Sequence, residues 1–558
     1  MKKNFVSDPN FKCEKYPVTS GRAVVVTNHP LASAAGAQIL SSGGNAVDAT
    51  IASLFALTVV EPMMVGVLGG GLIHLRDPSG RHVIIDGLST APNAAMADMF
   101  TPLRDGLSSE REVVGELNSL GAKAFAVPGA LMAWCYALKV YGSLALRDIL
   151  LPAISLADHG FLVTPYLSAC ISENADRISQ DGELAALFMP GSHPLMPGSR
   201  LKRPDYAATL RAVAAEGPDI VYNGEISEQI VKDLSARGGI ISLSDLRNYS
   251  VVERNPICSH YRGFEIFGPP PPASSGVHIS QMLNILEGYD ISSLGFGSPE
   301  TLHLIAEVMK IAFADRQVST ADPDFVSVPV EKLISKEYAK HRRAKISEEK
   351  ASNCLPEVYF NGESHETTHV TIADEMGCVV SATQTINGLF GACLSVPGTG
   401  LIANNYMLNF DPHPDRALSV APGKRVFTSM APMIFEKNGA VVAALGLPGA
   451  LRIFPSALQT ILNLIDFEMD LQRAVEAPRI WTEGGVVEVE DGFSNHICEA
   501  LVAFGHKVIR VPRIAGGMNA VKFNQDGTIT GSACWRADGV PIGLGGGLAR
   551  AGVGFSVD

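Results

Sequence analysis

The sequence predicts an α+β fold with a large core, in which two strand-rich layers lie between helical layers as an αββα sandwich. Residues 1–366 have mostly helical spacing of apolar side chains, with short strands between the helices. Strands dominate from residue 367 onward. Of the 558 residues, 46% are hydrophobic, which is enough to bury a large core.

In the first part of the chain, turn and capping residues mark the limits of the predicted elements. Gly43-Gly44 ends one helix and Asn45 can cap the next, which contains the apolar run 49–60. That run is too short to span a membrane, so we expect a buried helix. Further helices are predicted at 130–141, 225–234, 278–286 and 301–314, and strands at 23–26 and 82–85.

The second part begins with a predicted hairpin. Residues 367–373 alternate apolar and polar as a strand does, 374–377 form a turn, and 378–387 read as the return strand. Thr383, Thr385 and Asn387 share one face of it by period 2. Helices follow at 455–464 and 495–504.

Two segments have little regular pattern. Residues 320–366 are polar and weakly periodic, which predicts an irregular tail. Residues 268–276 (GPPPPASSG) form a rigid-then-flexible loop, either a plain connector or part of a site.

The charge pattern excludes some functions. Net charge is -13 and the pI is near 5.6, and the one basic run, 340–345 (KHRRAK), is best explained as a solvated helix face. We therefore expect neither nucleic-acid nor membrane binding. The N-terminus lacks the apolar stretch of a signal peptide, and nine cysteines without regular spacing suit reduced thiols, so the predicted location is cytoplasmic.

Residues 365–369 (HETTH) fit two chemistries. As H-E-x-x-H, His365 and His369 would bind zinc with Glu366 as the base. That requires a helix, yet 361–364 (NGES) disfavours one and the two threonines are β-branched. On a strand the two histidines would lie about 13 Å apart, at ~3.3 Å per residue. The flanks therefore favour a strand that begins near Thr367, with no metal.

The motifs along the chain resemble those of γ-glutamyltransferases (glutathione hydrolases), a family that also includes bacterial cephalosporin acylases. They cover nearly the whole chain and are residues 43–49 (GGNAVDA), Gly69-Gly70-Gly71, Val127-Pro128-Gly129, Thr367-Thr368-His369, Asp374, Gly377, 379–381, Thr383, Thr385-Ile386-Asn387, Phe390-Gly391, 421–425, Ser429-Met430 and 446–449. The resemblance implies an αββα sandwich of the N-terminal-nucleophile hydrolase type.

The resemblance also implies self-cleavage between Glu366 and Thr367. The fragments 1–366 and 367–558 would form a heterodimer, folded as one intertwined domain without a cofactor. A threonine hydroxyl needs an adjacent base to attack an amide, and a terminal threonine carries its own α-amine with a pKa of about 7.7–8.0. Cleavage would therefore create the catalyst.

Further site residues follow from the resemblance. Backbone N–H groups at Gly449 and Ala450 would stabilise the oxyanion, with Ala450 where the family has a second glycine. An ordinary Gly-Pro turn is the alternative explanation of that segment. Thr385 would support the Thr367 hydroxyl or amine from the neighbouring strand.

Departures from the family carry the substrate information. Asn409 replaces the acidic residue that holds the glutamyl α-amine, Tyr406 replaces a nearby Gln or Glu, and Asn387 is retained. An ammonium loses its ion-pair partner, whereas a glutaryl group, which lacks that amine, loses nothing.

The carboxylate end also departs from the family. Leu88 stands where the family has an arginine, and Thr428-Ser429 replaces its Ser-Ser pair. Arg425 and Arg452 are the candidate replacement cations. Only residues 410–427 separate Asn409 from Thr428, about ten fewer than in members with a lid, so we expect an open site.

The expected function is removal of glutaryl-type acyl groups from amides, as in a cephalosporin acylase, with γ-glutamyl hydrolase or transferase activity on glutathione-like substrates. A hydrolase for another small carboxylate amide remains an alternative. A zinc peptidase and a non-catalytic scaffold protein are more remote, since Thr367, Thr385 and Gly449 are intact.

Overall fold

The computed structural model describes residues 11–103, 111–352 and 367–546, without the side chains of residues 317–319. The strands of these residues are β1 Val18–Ser20, β2 Ala23–Thr27, β3 Gly70–Arg76, β4 His82–Gly87, β5 Phe161–Leu162, β6 Arg200–Leu201, β7 Val252–Arg254, β8 Ile257–Tyr261, β9 Phe264–Gly268, β10 Thr368–Ala373, β11 Val379–Thr385, β12 Ser395–Val396, β13 Leu401–Ile402, β14 Met433–Lys437, β15 Ala440–Gly446, β16 Ile480–Trp481, β17 Val486–Glu490, β18 Lys507–Val511, β19 Asn519–Phe523, β20 Ile529–Ala533 and β21 Val540–Leu544.

The α-helices of the same residues are α1 Pro30–Ser41, α2 Ala46–Val60, α3 Ala130–Tyr141, α4 Leu146–His159, α5 Pro165–Glu173, α6 Ala175–Ile178, α7 Gly182–Phe188, α8 Pro204–Glu216, α9 Asp219–Tyr222, α10 Glu225–Ala236, α11 Leu243–Asn248, α12 Ser275–Leu286, α13 Ile291–Leu294, α14 Pro299–Ser319, α15 Val330–Leu333, α16 Lys336–Arg343, α17 Ile453–Ile465, α18 Leu471–Glu476 and α19 Asn495–Ala503.

Two seven-stranded sheets form the centre of the fold. One has the order β1-β20-β19-β15-β14-β9-β8 and the other the order β21-β2-β10-β11-β3-β4-β7. An apolar cluster with members on both sheets, among them Val24, Val26, Ala444 and Val521, lies between them. The predicted αββα sandwich is therefore confirmed.

Each sheet packs its outer face on helices. Helices α1 to α8 and the second sheet share one large buried cluster, whereas α12, α14, α17 and α19 share another with the first sheet. α2 is buried along its whole length, as the apolar run predicts. Its N-terminus has the predicted cap, because Asn45 accepts from the N–H groups of Val47 and Asp48 while Asp48 accepts from Asn45.

The predicted hairpin is the centre of the second sheet. β10 and β11 pair antiparallel from Thr368 opposite Gln384 to Ala373 opposite Val379. Their outer neighbours are β2 and β3, which precede residue 353 in the chain. One sheet therefore contains strands from before and after the proposed cleavage point. Thr367 lies immediately before a central strand of that sheet.

Most predicted elements are confirmed within a few residues, but the tail is not. Residues 320–366 were expected to be irregular, whereas α15 and α16 lie within them. Ser335 caps α16 by accepting from the N–H of Tyr338, and the buried Ala339 anchors it, so local capping and one apolar contact outweigh the polar composition. The basic run 340–345 covers the end of α16, largely exposed as predicted. Residues 353–366 lie outside the described residues.

Within the described ranges, no helix is both long and apolar enough to cross a membrane. The cysteines in these ranges are free thiols, which agrees with the reduced state that their spacing predicts.

Candidate active site

A cleft of about 400 Å³ opens at the N-terminal end of β10. It is lined by Arg111, Arg316, Thr367, Thr385, Asn387, Tyr406, Asn409, Phe427, Thr428, Ser429, Met430, Ala450 and Ile453. Eight of these residues are site residues that the sequence predicts, and Gly449 adjoins Ala450. Elements far apart in sequence therefore converge on Thr367.

The start of β10 is held firmly beside the cleft. Thr367 is only 3% exposed, and the next residue, Thr368, donates its hydroxyl hydrogen to the Glu61 carboxylate at 2.7 Å. Thr368 is also paired with Gln384 on β11. These contacts fix the backbone direction with which Thr367 enters the cleft.

The glycine run before and within β3 lets that strand lie close behind the site. A Cβ atom on Gly69 would lie 2.2 Å from the carbonyl oxygen of Thr385, and one on Gly71 would lie 2.3 Å from that of Thr383. Only glycine fits at such distances. The Thr385 hydroxyl in turn accepts a hydrogen bond of 2.8 Å from the backbone N–H of Asn387, and the Asn387 side chain donates to the carbonyl oxygen of Asn405 at 3.0 Å.

The turn after β15 brings Ala450 to the cleft, with Gly449 next to it in the chain. Gly449 has a φ of 136° and Ala450 a φ of 52°, so Ala450 adopts the left-handed conformation that glycine favours. Within the described residues, neither N–H donates to a backbone or side-chain acceptor. Alanine thus adopts a left-handed conformation at this position in the turn.

Two other polar side chains that line the cleft, Asn409 and Tyr406, are uncharged. Asn409 donates its Nδ2 hydrogen to the carbonyl oxygen of Phe427 at 3.0 Å, and its buried Oδ1 has no partner among the described residues. The Tyr406 hydroxyl donates to the carbonyl oxygen of Gly70 at 3.2 Å, and burial raises its pKa well above the usual value. Tyr406 therefore contributes a neutral ring.

Two arginines that the sequence analysis did not identify, Arg316 and Arg111, also line the cleft. Arg316, near the end of α14, donates to the hydroxyl of Ser429 at 3.0 Å and lies 4.2 Å above the ring of Phe427. The sequence does contain a signal for it. Arg316 continues the buried stripe of Ile305, Met309 and Ala312 at helical spacing, where an unexplained charge is unusual. Arg111 follows residues outside the described ranges, and no pattern indicates it.

The two arginines proposed from the sequence lie elsewhere, so those candidates are wrong. Arg425 is turned toward Asp86, the carbonyl oxygen of Leu88 and the hydroxyl of Tyr249. Arg452 forms an ion pair with Glu488 at 2.6 Å. Both guanidinium groups satisfy internal acceptors that the sequence does not place near them. Leu88 lies in the apolar cluster behind the cleft-lining Tyr406 and Met430 and does not itself line the cleft.

The structure contradicts the zinc hypothesis, because the second histidine of the motif lies on a strand and not on a helix. Thr368 and His369 belong to β10, and the imidazole of His369 bonds to the hydroxyls of Thr383 at 2.8 Å and Thr371 at 2.9 Å. Burial lowers its pKa to about 3. His365 and Glu366 lie outside the described residues.

Two loops adjoin the cleft. Residues 268–276 support the site from behind, because Ser274 donates its N–H to the carbonyl oxygen of Thr428 at 2.9 Å and its hydroxyl accepts from Arg316 at 3.3 Å. Residues 410–427 are folded back on themselves, with Lys424 donating to the carbonyl oxygens of Ala417 and Ser419. The expected openness of the site stays a prediction.

The sheet order, the helical layers and the position of the cleft define the class of protein, an N-terminal-nucleophile hydrolase fold. A cephalosporin acylase from Bacillus halodurans has a similar solved structure, with a TM-score of 0.87 and 30% sequence identity over 96% of this chain and 98% of that one. The family model for gamma-glutamyltranspeptidase matches residues 32–544. The chain therefore belongs to the gamma-glutamyltranspeptidase family.

Curated relatives agree with this assignment. The chain is 62% identical over 548 residues, 98% of each sequence, to the acylase ACY 1 proenzyme of Pseudomonas sp. (strain SE83). It is 36% identical over 541 residues, 93% of this chain and 91% of the other, to the glutathione hydrolase proenzyme of Bacillus subtilis (strain 168). The protein is an enzyme of the amide hydrolase and acyltransferase class.

Proposed function

We propose that this chain is a precursor that cleaves itself before Thr367 and then removes glutaryl-type acyl groups from amides. The observation that carries the proposal is the position of Thr367. It lies at the start of a central strand, in one cleft with Thr385, Ala450 and the predicted acyl-binding residues. The two relatives named above are both called proenzymes.

In maturation, the Thr367 hydroxyl oxygen attacks the carbonyl carbon of Glu366. The peptide C–N bond breaks as the C–O bond forms, and the hydroxyl proton passes to the departing nitrogen. Water then hydrolyses the resulting ester, which leaves a carboxyl group on Glu366 and a free α-amine and hydroxyl on Thr367. Each step balances without a cofactor.

The fragments would remain associated after the cut. β10 and β11 are paired with β2 and β3 across the proposed junction. Near the end of the first fragment, the N–H of Ala351 donates to the carbonyl oxygen of Phe504 at 2.7 Å. Lys310 Nζ of the first fragment lies 3.3 Å from Nδ1 of His506 in the second. These contacts support a heterodimer folded as one intertwined domain.

In catalysis, the freed α-amine accepts the Thr367 hydroxyl proton as the oxygen attacks the substrate amide. The N–H groups of Gly449 and Ala450 donate to the oxyanion, and each such donor is worth roughly 3 kcal/mol. The protonated amine then gives its proton to the leaving amine. Water, or an acceptor amine, takes the acyl group from Thr367 in the second half of the reaction.

The acyl group is inferred from the chemistry of the cleft wall. The uncharged Asn409 presents an acceptor oxygen instead of a carboxylate, so an α-ammonium gains a hydrogen bond but no ion pair. This favours glutaryl over γ-glutamyl groups and leaves residual activity on glutathione-like substrates. A hydrolase for another small carboxylate amide is the alternative, and it shares the same nucleophile.

A substrate screen with two variants tests the proposal. Purified protein should hydrolyse glutaryl-p-nitroanilide faster than γ-glutamyl-p-nitroanilide, and Thr367→Ala should abolish hydrolysis of both. Thr367→Ser keeps a hydroxyl and an α-amine, so it should retain part of the activity. Full activity in Thr367→Ala, or loss of activity on treatment with a chelator and its return with zinc, would refute the mechanism.

A further inference from the structure

The carboxylate end of the acyl group lacks the family's cation in this chain. Leu88 is fully buried in an apolar cluster with Phe100 and Met430, so it offers no polar contact. Positive charge nevertheless reaches the cleft from two other elements, Arg316 of α14 and Arg111. Both side chains are at most 5% exposed, which is unusual for arginine.

The Arg316 guanidinium is held in one plane by its neighbours. Its Nη2 donates to the hydroxyl oxygen of Ser429 at 3.0 Å and its Nε to that of Ser274 at 3.3 Å. The ring of Phe427 lies 4.2 Å from the guanidinium carbon. Ser274 is itself anchored to the carbonyl oxygen of Thr428, so the charge, both serines and the cleft wall form one fixed unit.

These contacts decide which way the neighbouring hydroxyls can point. Ser429 accepts from Arg316, so its own hydrogen cannot point back at the guanidinium. The Thr428 hydroxyl accepts from the N–H of Met430 at 3.2 Å and is restricted in the same way. Neither hydroxyl hydrogen has an acceptor among the residues that the structure describes, and both residues line the cleft. Two O–H donors beside buried positive charge form a site for an anion.

We propose that Arg316, with Arg111, which lines the same cleft, and the hydroxyls of Thr428 and Ser429, binds the terminal carboxylate of the acyl group. The inference rests on the proposed function for the identity of the ligand. The cation is then supplied by helix α14, not by the position at the strand end where this chain has Leu88. The enzyme then selects monoamides of dicarboxylic acids over acyl groups that end in a methyl group.

A binding measurement tests the subsite without any turnover. Mature protein should bind free glutarate much more tightly than 1-pentanol, which has the same number of carbons but no carboxylate, in titration calorimetry. Arg316→Met should weaken glutarate binding by about 10- to 100-fold, the usual worth of a charged hydrogen bond, and leave 1-pentanol binding unchanged. Arg111→Met should weaken glutarate binding in the same direction. Arg452→Met is the matched control, because that guanidinium is paired with Glu488 outside the cleft.

A kinetic comparison gives a second readout. The ratio of kcat/KM for glutaryl-p-nitroanilide to that for pentanoyl-p-nitroanilide should fall about 10- to 100-fold in Arg316→Met and stay constant in Arg452→Met. Arg316→Lys keeps the charge but loses the planar fork, so an intermediate fall is expected. This milder variant answers the question if Arg316→Met does not fold.

The outcomes separate this inference from the proposed function. Equal affinity for glutarate and 1-pentanol in the unaltered protein overturns the subsite, as does an unchanged glutarate affinity in folded Arg316→Lys and Arg316→Met. Glutarate binding that depends on Arg316, in a protein that hydrolyses no acyl-amide, supports the subsite and refutes the proposed function instead.

Discussion

At the scale of single residues, the acyl preference depends on an uncharged side chain whose orientation is fixed by a hydrogen bond. Asn409 is the clearest case, because its Nδ2 bond to the carbonyl oxygen of Phe427 assigns the acceptor Oδ1 to the unpartnered position. Since an amide oxygen carries only a partial negative charge, it binds an ammonium less strongly than a carboxylate does.

Restoring the charge at this position should change the acyl preference. Asn409→Asp should raise the ratio of kcat/KM for γ-glutamyl to glutaryl substrates about tenfold, because a charged hydrogen bond exceeds a neutral one by roughly 1 kcal/mol or more. Absolute rates should fall for both substrates, since a carboxylate oxygen would face the Phe427 carbonyl oxygen. Asn409→Leu is the opposite control and should lower the ratio. A flat ratio in both variants would place Asn409 outside the acyl pocket.

At the scale of elements, the turn after β15 shows how backbone conformation serves the site. Gly449 has no space for a side chain, because a Cβ atom would lie 2.6 Å from the Cβ of Ala515. The side chain of Ala450 is accommodated, but its left-handed backbone, with a φ of 52°, is strained by about 1–2 kcal/mol for an L-residue. The two positions should therefore respond differently to substitution.

Exchanges at this turn test its proposed role. Ala450→Gly should keep hydrolysis within about threefold and change the free energy of unfolding by less than about 1 kcal/mol, since relief of strain offsets unfolded-state entropy. Gly449→Ala should lower kcat at least about 100-fold, as for a displaced oxyanion donor. Gly439→Ala is a suitable control, because this hairpin glycine also has a positive φ but no atom near its Cβ position. Equal losses of kcat in Gly439→Ala and Gly449→Ala would indicate strain alone.

Much of the element pattern is predictable from the sequence because it depends on local chemistry. Apolar spacing and caps predict α2, α3 and α10, and alternation predicts β10 and β11. The site needs more, since Arg316 reaches the cleft only through the packing of α14 against the Phe427 segment. The prediction that Arg425 or Arg452 supplies the cation was wrong for the same reason. Their partners, Asp86 and Glu488, are remote in sequence, and no periodicity reveals such pairs.

At the scale of the whole molecule, the protein keeps several histidines neutral in its interior. Burial lowers the pKa of His74 and His369 to about 3 and that of His29 and His278 to about 4. In the unfolded chain these groups titrate near 6.5. Between about pH 6.5 and pH 3 the unfolded chain therefore binds more protons than the folded one, so stability rises with pH in this window.

The resulting acid sensitivity can be measured by urea unfolding. The free energy of unfolding should fall between pH 7 and pH 5. Below pH 6.5 the slope should be at least about 1.4 kcal/mol per pH unit, which is the contribution of one buried histidine that stays neutral in the folded protein. Burial raises the pKa of Asp322 and Asp374, which opposes the trend. Stability that is constant or higher at pH 5 would show that the carboxyl groups outweigh the histidines.

The account depends most on the creation of a new N-terminus at Thr367, and intact-mass analysis with N-terminal sequencing measures this directly. Purified protein should give two non-covalently associated fragments, residues 1–366 and 367–558, and the smaller should begin Thr-Thr-His-Val. Thr367→Ala should remain a single chain, because without the hydroxyl no ester can form. An uncut chain with full amidase activity, or a fragment that begins at another residue, would contradict the mechanism.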